Sequence, residues 1–374
     1  MAATAHILID GAGIGICIAV LALIGLRLWG RRDRRTPLLV IAAFVALLAG
    51  DMALDVGEAP GALGLDMALL PPLPVLLFVY VRLLTGGARV SWRHLIAPVA
   101  AIVCLLPLLS LDDGIKSALL RGEIVPHDRL HQVAAGVGVL LCWLIWMGLL
   151  IGYGIGIVRV LRAHDRRLRD VVSNVAGLDL NWVRGLMVLI GGAAGLAALD
   201  QLTALGGHPL LSPLAADVFE AGVALAFGAF GLQQDTRPAP VPAPRPEAPS
   251  YARSALTEAD CDRILGKLDA AMTASQLWRD PALSLPKLAE AAGVKPNSVS
   301  QALNTRRACN FFDYVNGWRI RDACELLTTT DDTVLAISET VGFNAKSTFN
   351  AAFVRHTGTT PTRFRTAPHP PPAP

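Results

Sequence analysis

A chain of 374 residues has room for two or three domains, and 53% hydrophobic content with a mean hydropathy of +0.48 excludes an ordinary soluble protein. The net charge of +3 argues little about partners by itself. Long apolar stretches fill the first 232 residues, whereas 251–366 have the composition of a soluble domain. Cys17, Cys104, Cys142, Cys261, Cys309 and Cys324 fall at apolar or helical positions without metal-ligand spacing, and read as small buried residues in a reducing setting. The N-terminus has neither a basic run nor a small-residue cleavage site, so no removable signal peptide is expected.

An apolar helix needs roughly 20 residues to cross a bilayer. Seven stretches are candidates: Ile7–Trp29, Pro37–Val56, Met67–Leu84, Leu95–Leu111, Val133–Val158, Leu180–Leu205 and Pro213–Leu232. The third and fourth are short or broken by proline, and Pro71, Pro72 and Pro74 kink or delimit the third. Arginines fix the orientation. Arg31, Arg32, Arg34 and Arg35 follow the first stretch, Arg89 and Arg93 the third, and Arg159, Arg162, Arg166, Arg167 and Arg169 the fifth. Gly57–Asp66 and Gly206–Ser212 hold no Lys or Arg, and Asp112–Gln132 balances its cations with acids. The odd-to-even loops therefore read as cytoplasmic, with the N-terminus outside and the C-terminal part inside.

Five carboxylates fall in these stretches: Asp51, Asp55, Asp200, Asp217 and Glu220. An aspartate near mid-bilayer costs about 2.5–3.5 kcal/mol, so each must face protein or water. Asp51 and Asp55 share a helix face at i, i+4, and Asp217 and Glu220 do so at i, i+3. A ligand pocket between helices is one reading and polar packing near helix ends the other; at least one of the five is expected to line a sensory cavity. Gly11/Gly15, Gly152/Gly156 and Gly191/Gly195 suit close helix packing, since no strand precedes them as a nucleotide site would need. His127 and His131 have a metal-like i, i+4 spacing, but a lone pair of histidines does not specify a metal site. No motif calls for a cofactor or an enzyme.

Arg237–Pro249 alternates proline with small residues and reads as a polyproline II spacer, about 40 Å long at ~3.1 Å per residue. Thr257–Gln276 forms an amphipathic helix with Cys261, Ile264, Leu265, Leu268 and Met272 on one side. Leu285–Ala292 then gives a short helix, Gly293 a turn, Val294 a plug, and Pro296–Asn304 a second helix with Val299 and Leu303 inward. Phe311–Leu327 is a longer helix. The first pattern then returns: Asp332 or Thr333 caps a helix through Glu339, Gly342 turns the chain, Phe343 plugs the gap, and Asn344 caps a helix with Phe349 and Phe353 inward. Thr366–Pro374 is proline-rich and expected to be disordered.

Two helix-turn-helix patterns joined by one helix are a specific signal. Leu288-Ala289, Gly293, Asn310-Phe311-Phe312, Tyr314, Arg319, Ala323, Gly342-Phe343, Ser347-Thr348-Phe349, Phe353, Gly358, Pro361 and Arg365 together resemble the DNA-binding domain of the AraC family of bacterial transcription regulators. The resemblance runs from about Ser284 to Arg365. It implies two recognition helices on one face, entering successive major-groove segments roughly 34 Å apart, with the joining helix fixing their separation. Ala308 stands where the family usually has glycine, Ala351 where arginine is common, Lys295 where a hydroxyl cap is usual, and Ser338 in place of an alanine.

The fold class is thus all-α: a seven-helix transmembrane bundle (1–235), a Pro-rich linker (236–250), an AraC-type double helix-turn-helix domain (251–366) and a tail. For base contact the candidates are Asn297, Ser300 and Gln301 in the first unit and Lys346, Ser347 and Asn350 in the second. Arg306, Arg307, Arg355 and Arg363, near helix ends, suit phosphate. The plainer reading makes all of these a solvated face. Arg319 and Arg365 read as structural. The expected protein is a one-component regulator in the bacterial cytoplasmic membrane. Its expected partners are double-stranded DNA, the lipid bilayer, RNA polymerase, a second copy of the chain, and a small-molecule or membrane signal. The competing reading is a transporter or integral membrane enzyme with a protein-binding C-terminal module.

Overall fold

The computed structural model describes residues 12–24, 35–57, 63–86, 91–120, 129–174, 180–204, short pieces between 218 and 229, and 256–366. The described residues form helices and turns without a strand; the one bridge outside helices pairs Val172 with Ser284. Two compact units result: Met1–Arg162 with Leu180–Arg237, and Ala163–Asp179 with Pro238–Pro374.

In the N-terminal unit, Thr36–Leu54, Leu65–Leu84 and Arg129–Val171 are long and apolar enough to cross a membrane, and Ala12–Ile24, Trp92–Cys104 and Asn181–Leu196 are shorter apolar helices. They fall, in chain order, on the first six expected stretches; the seventh, Pro213–Leu232, lies largely outside the described residues. The helices are α1 (Ala12–Ile24), α2 (Arg35–Gly57), α3 (Leu65–Leu69), α4 (Pro72–Leu84), α5 (Ile96–Cys104), α6 (Leu106–Leu109), α7 (Asp113–Leu120), α8 (Arg129–Val171) and α9 (Asn181–Ala204). The third stretch breaks where its prolines predict: Pro71 is the cap residue and Pro72 opens α4. Cys17, Ile24, Phe44, Val45, Leu77, Tyr80, Val81, Ile157 and Val183 make the unit's core. Leu140, Leu144, Ile151, Val188 and Leu199 are exposed, so the unit is apolar outside as well as inside. One expectation is corrected here. The arginine-rich loop after the fifth stretch is no loop, because α8 runs on as one 43-residue helix to Val171.

The C-terminal unit contains α10 (Glu258–Ser275), α11 (Leu285–Ala291), α12 (Pro296–Arg307), α13 (Phe311–Thr329), α14 (Val334–Thr340), α15 (Lys346–Thr357) and α16 (Pro361–Thr366). α10 opens on a capping box in which the Thr257 hydroxyl accepts from the Asp260 amide while the Asp260 carboxylate accepts from the Thr257 amide. Asn310 and Thr333 cap α13 and α14 in the same way, each accepting the amide three residues on.

Two details depart from the sequence reading. Asn344 does not cap α15; the cap residue is Ala345, whose side chain has no acceptor to offer. α12 continues one turn past Asn304 and ends at Ala308, which sits in the left-handed region at φ +48° and ψ +34°. An L-residue there is strained by roughly 1–2 kcal/mol, of which glycine's looser unfolded chain would return about half. Ala308→Gly is therefore expected to stabilise the unit by about 1 kcal/mol, measured by pulse proteolysis across a urea series. A loss of stability would show that Ala308 is not held in a left-handed turn.

Candidate nucleic-acid interface

The C-terminal unit has two cores that share one helix. Leu285, Leu288 and Ala289 of α11 and Val299, Ala302 and Leu303 of α12 pack with Cys261, Leu265, Leu268 and Met272 of α10 and with Phe311, Tyr314 and Val315, all in the first turns of α13. Farther along α13, Ile320, Ala323 and Leu327 pack with Ile337, Val341, Phe343, Phe349, Ala352 and Phe353. Phe343, Phe349, Phe353 and Phe364 form a ring ladder, with successive centroids 5.3, 5.6 and 5.4 Å apart. α13, 19 residues long, is thus a strut of about 28 Å at 1.5 Å rise per residue. Each end of it is buried in one helix-turn-helix.

Burying Val299 and Leu303 turns the opposite side of α12 outward. Asn297 is exposed there, and Ser300 and Gln301 are half-buried. Burying Phe349 and Phe353 does the same for α15, exposing Lys346 and Ser347 and leaving Asn350 half-buried. Each set shares a helix face by its i, i+3 and i+4 spacing. Ala351 and Val354 are also exposed on α15. Among the described residues, no side chain caps α12 at Lys295 or α15 at Ala345.

The arginines at the helix ends are engaged. Arg306 grips Asp262 with two donors at 2.8 and 3.1 Å and reaches Glu258 at 3.2 Å. Arg307 pairs with Asp269 at 2.5 Å and lies over the Tyr314 ring, and Tyr314 donates its hydroxyl to the same Asp269. Arg355 pairs with Asp313 at 3.2 Å. These pairs are exposed, where an ion pair contributes about 0–1 kcal/mol, so exchange of a carboxylate for another anion is nearly isoenergetic. Arg363 is exposed at the start of α16. Arg365 donates to the carbonyls of Leu327 and Asp332, closing the end of α13.

A keystone that sequence patterning did not reveal is the turn Leu277–Asp280. Trp278 stacks on Trp318, with centroids 5.3 Å apart, and its indole donates to Asp322 at 2.7 Å. Arg279 grips the same carboxylate at 2.7 and 2.9 Å. Burial alone would raise the Asp322 carboxyl, but these hydrogen bonds outweigh it and hold the group below the usual carboxylate range. Arg319, fully buried, donates to the carbonyls of Trp278 and Asp280 and lies over the Phe343 ring. Burial pulls its pKa down to about 10, so it stays charged at neutral pH.

The carboxylates of the N-terminal unit are less concentrated. Asp51 is buried on α2; Asp55 and Asp200 stand on α2 and α9, and Asp217 and Glu220 lie outside the described residues. A cavity of about 320 Å³ in this unit is lined by Phe44, Leu48, Trp146, Tyr153, Met187 and other apolar residues, with none of the five among its described lining. His131 lies 2.8 Å from the Ser110 hydroxyl, and His127 is outside the described residues. None of the six cysteines forms a disulfide.

Two helix-turn-helix units on a common strut define a DNA-binding domain, and residues 288–367 match the helix-turn-helix domain family. The domain is of the AraC type. Among characterised proteins, the chain is 28% identical over 91 residues to a probable transcription factor, PqrA, of Proteus vulgaris; the match takes in 24% of this chain and 75% of that one. Among solved structures, the C-terminal domain of AraT, a response regulator from Geobacillus stearothermophilus, is 22% identical, covering 32% of this chain and 95% of its own, at a TM-score of 0.26. The C-terminal domain of the two-component response regulator yesN from Fusobacterium nucleatum is 24% identical, covering 28% and 95%, at a TM-score of 0.24.

Proposed function

We propose that the protein is a membrane-embedded one-component regulator, in which an N-terminal membrane bundle responds to a signal and the C-terminal domain binds specific DNA sequences. The observation that carries the reading is the pairing of two outward polar faces, Asn297/Ser300/Gln301 and Lys346/Ser347/Asn350, by one strut seated in both cores. Asparagine and glutamine suit adenine, and lysine suits guanine or phosphate. The uncapped starts of α12 and α15 suit phosphate oxygens, as do Arg306, Arg307 and Arg355 once they exchange their carboxylates. The apolar exterior of the N-terminal unit and its three span-length helices support insertion in a bilayer. The excess of arginine after the first, third and fifth stretches supports seven spans with the C-terminal domain in the cytoplasm. A bilayer, RNA polymerase and a second copy of the chain are the partners this arrangement calls for.

The test is selection from a random duplex pool by the full-length protein in lipid nanodiscs. One sequence class is expected to emerge, with affinity falling steeply as salt rises. Lys346→Ala and Asn350→Ala are each expected to weaken the selected duplex by about tenfold or more, with unchanged thermal stability. Enrichment of no sequence, or equal losses on selected and random duplex, would sink the specific-regulator reading.

A further inference from the structure

The last turns of α8 and the three residues after it belong to the C-terminal unit. Val172 forms an antiparallel bridge with Ser284. The Ser173 amide donates to the Leu283 carbonyl at 3.3 Å, and its hydroxyl donates to the same oxygen at 2.7 Å. Arg319 in turn donates from Nη1 to the Ser173 carbonyl at 2.9 Å and from Nη2 to the Ser173 Oγ at 3.0 Å. One turn earlier, Arg169 lies over the Phe312 ring at 5.9 Å. Ser173 is 1% exposed, a degree of burial that an ordinary connecting loop does not reach.

Arg319 joins the two halves of the domain, and two of its four hydrogen bonds go to Ser173. The segment's contacts fall on Leu283, Ser284, Phe312 and Arg319, none of which is on a recognition helix. Seating it therefore completes the support of α12 and α15 and leaves their outward faces open.

We propose that Arg169–Asn174 is a coupling strap, a device that rests on the DNA-binding reading above and adds a route for its control. Seated, the strap satisfies Arg319 and holds the two helix-turn-helix units in one arrangement. Withdrawn by a movement of α8, it leaves a buried guanidinium short of acceptors, and the domain loses its grip on DNA. Because α8 is one helix from Arg129 to Val171, its apolar turns and the start of the strap share one continuous helical backbone. The coupling is reciprocal, so bound DNA favours the seated strap.

The experiment uses the full-length protein in nanodiscs and a duplex that the wild type selects. Ser173→Lys sets a second cation against Arg319, and affinity is expected to fall about tenfold at unchanged expression and membrane insertion. Arg319→Lys is expected to weaken binding too, and the double variant to be no weaker than the weaker single one. Losses that add would place the two residues in separate effects and overturn the strap. Val172→Cys with Ser284→Cys puts facing thiols across the bridge, within reach of a disulfide. Mild oxidation is expected to join them, identified by mass in the digested peptide pair, and the joined protein to keep wild-type affinity. Failure to join, or loss of binding once joined, overturns the proposal. A wild type that selects no duplex defeats the DNA-binding reading itself; a wild type that binds no better than Ser173→Lys defeats the strap alone.

Discussion

Gly342→Ala is expected to destabilise the C-terminal unit by roughly 3 kcal/mol, whereas Gly293→Ala, at the same place in the other helix-turn-helix, is expected to remove about 1–2 kcal/mol. Both glycines have left-handed backbones, at φ +93° and +62°. Their surroundings differ. A methyl group on Gly293 meets nothing within 4 Å, so only backbone strain is added. On Gly342 it would lie 2.7 Å from the Trp278 carbonyl oxygen and 2.9 Å from that of Arg279, and backbone cannot step aside as a side-chain tip does. The turn must lift off Leu277–Asp280, taking Phe343 away from Arg319. A loss of that size is a large share of an ordinary domain's 5–15 kcal/mol. Urea unfolding of the two variants, followed by the Trp278–Trp318 stack, makes the comparison. Equal losses would mean that the second turn does not rest on the Trp278–Arg279 backbone.

That contrast marks where sequence reading stops. The two turns, their plugs and their inward anchors were legible because each rests on local rules: glycine for a left-handed turn, and apolar residues at i and i+4 for a buried helix stripe. Of the two caps offered for α14, Thr333 is the one that forms, by equally local chemistry, and Asn344 misled because the helix started one residue later than its side chain suggested. The outward placement of Asn297, Lys346 and Ser347 was readable as the complement of the buried stripe. The engagement of Arg306 with Asp262 and Glu258, of Arg279 with Asp322, and of Arg319 with Ser173 was not, because no periodicity joins residues so far apart in the chain. In the N-terminal unit, hydropathy located the apolar stretches. It could not say that α8 runs on through five arginines, since arginine ends an apolar stretch yet is a good helix former.

Arg319→Ala is expected to have the largest effect of any single substitution, about 4 kcal/mol and a melting point lower by about 15 °C or more. Among the described residues Arg319 is the largest fully buried side chain, and its four hydrogen bonds go to the carbonyls of Trp278, Asp280 and Ser173 and to the Ser173 hydroxyl rather than to a carboxylate. Truncation leaves a cavity and strands buried acceptors at once, each worth about 1–3 kcal/mol when unpaired. Two further variants separate these effects. Arg319→Met restores most of the volume but no donor, so it is expected to lie near the alanine variant. Arg319→Lys keeps the charge on a single point that cannot reach acceptors spread around a planar fork, so it is expected to fall between alanine and wild type. If methionine instead matched the wild type, packing and not hydrogen bonding would hold the two helix-turn-helix units together. Thermal melts of the three proteins give the order directly. The order alanine, methionine, lysine, wild type would establish that a charged fork, aimed at backbone oxygens from both sides of α13, joins the two halves of the DNA-binding domain.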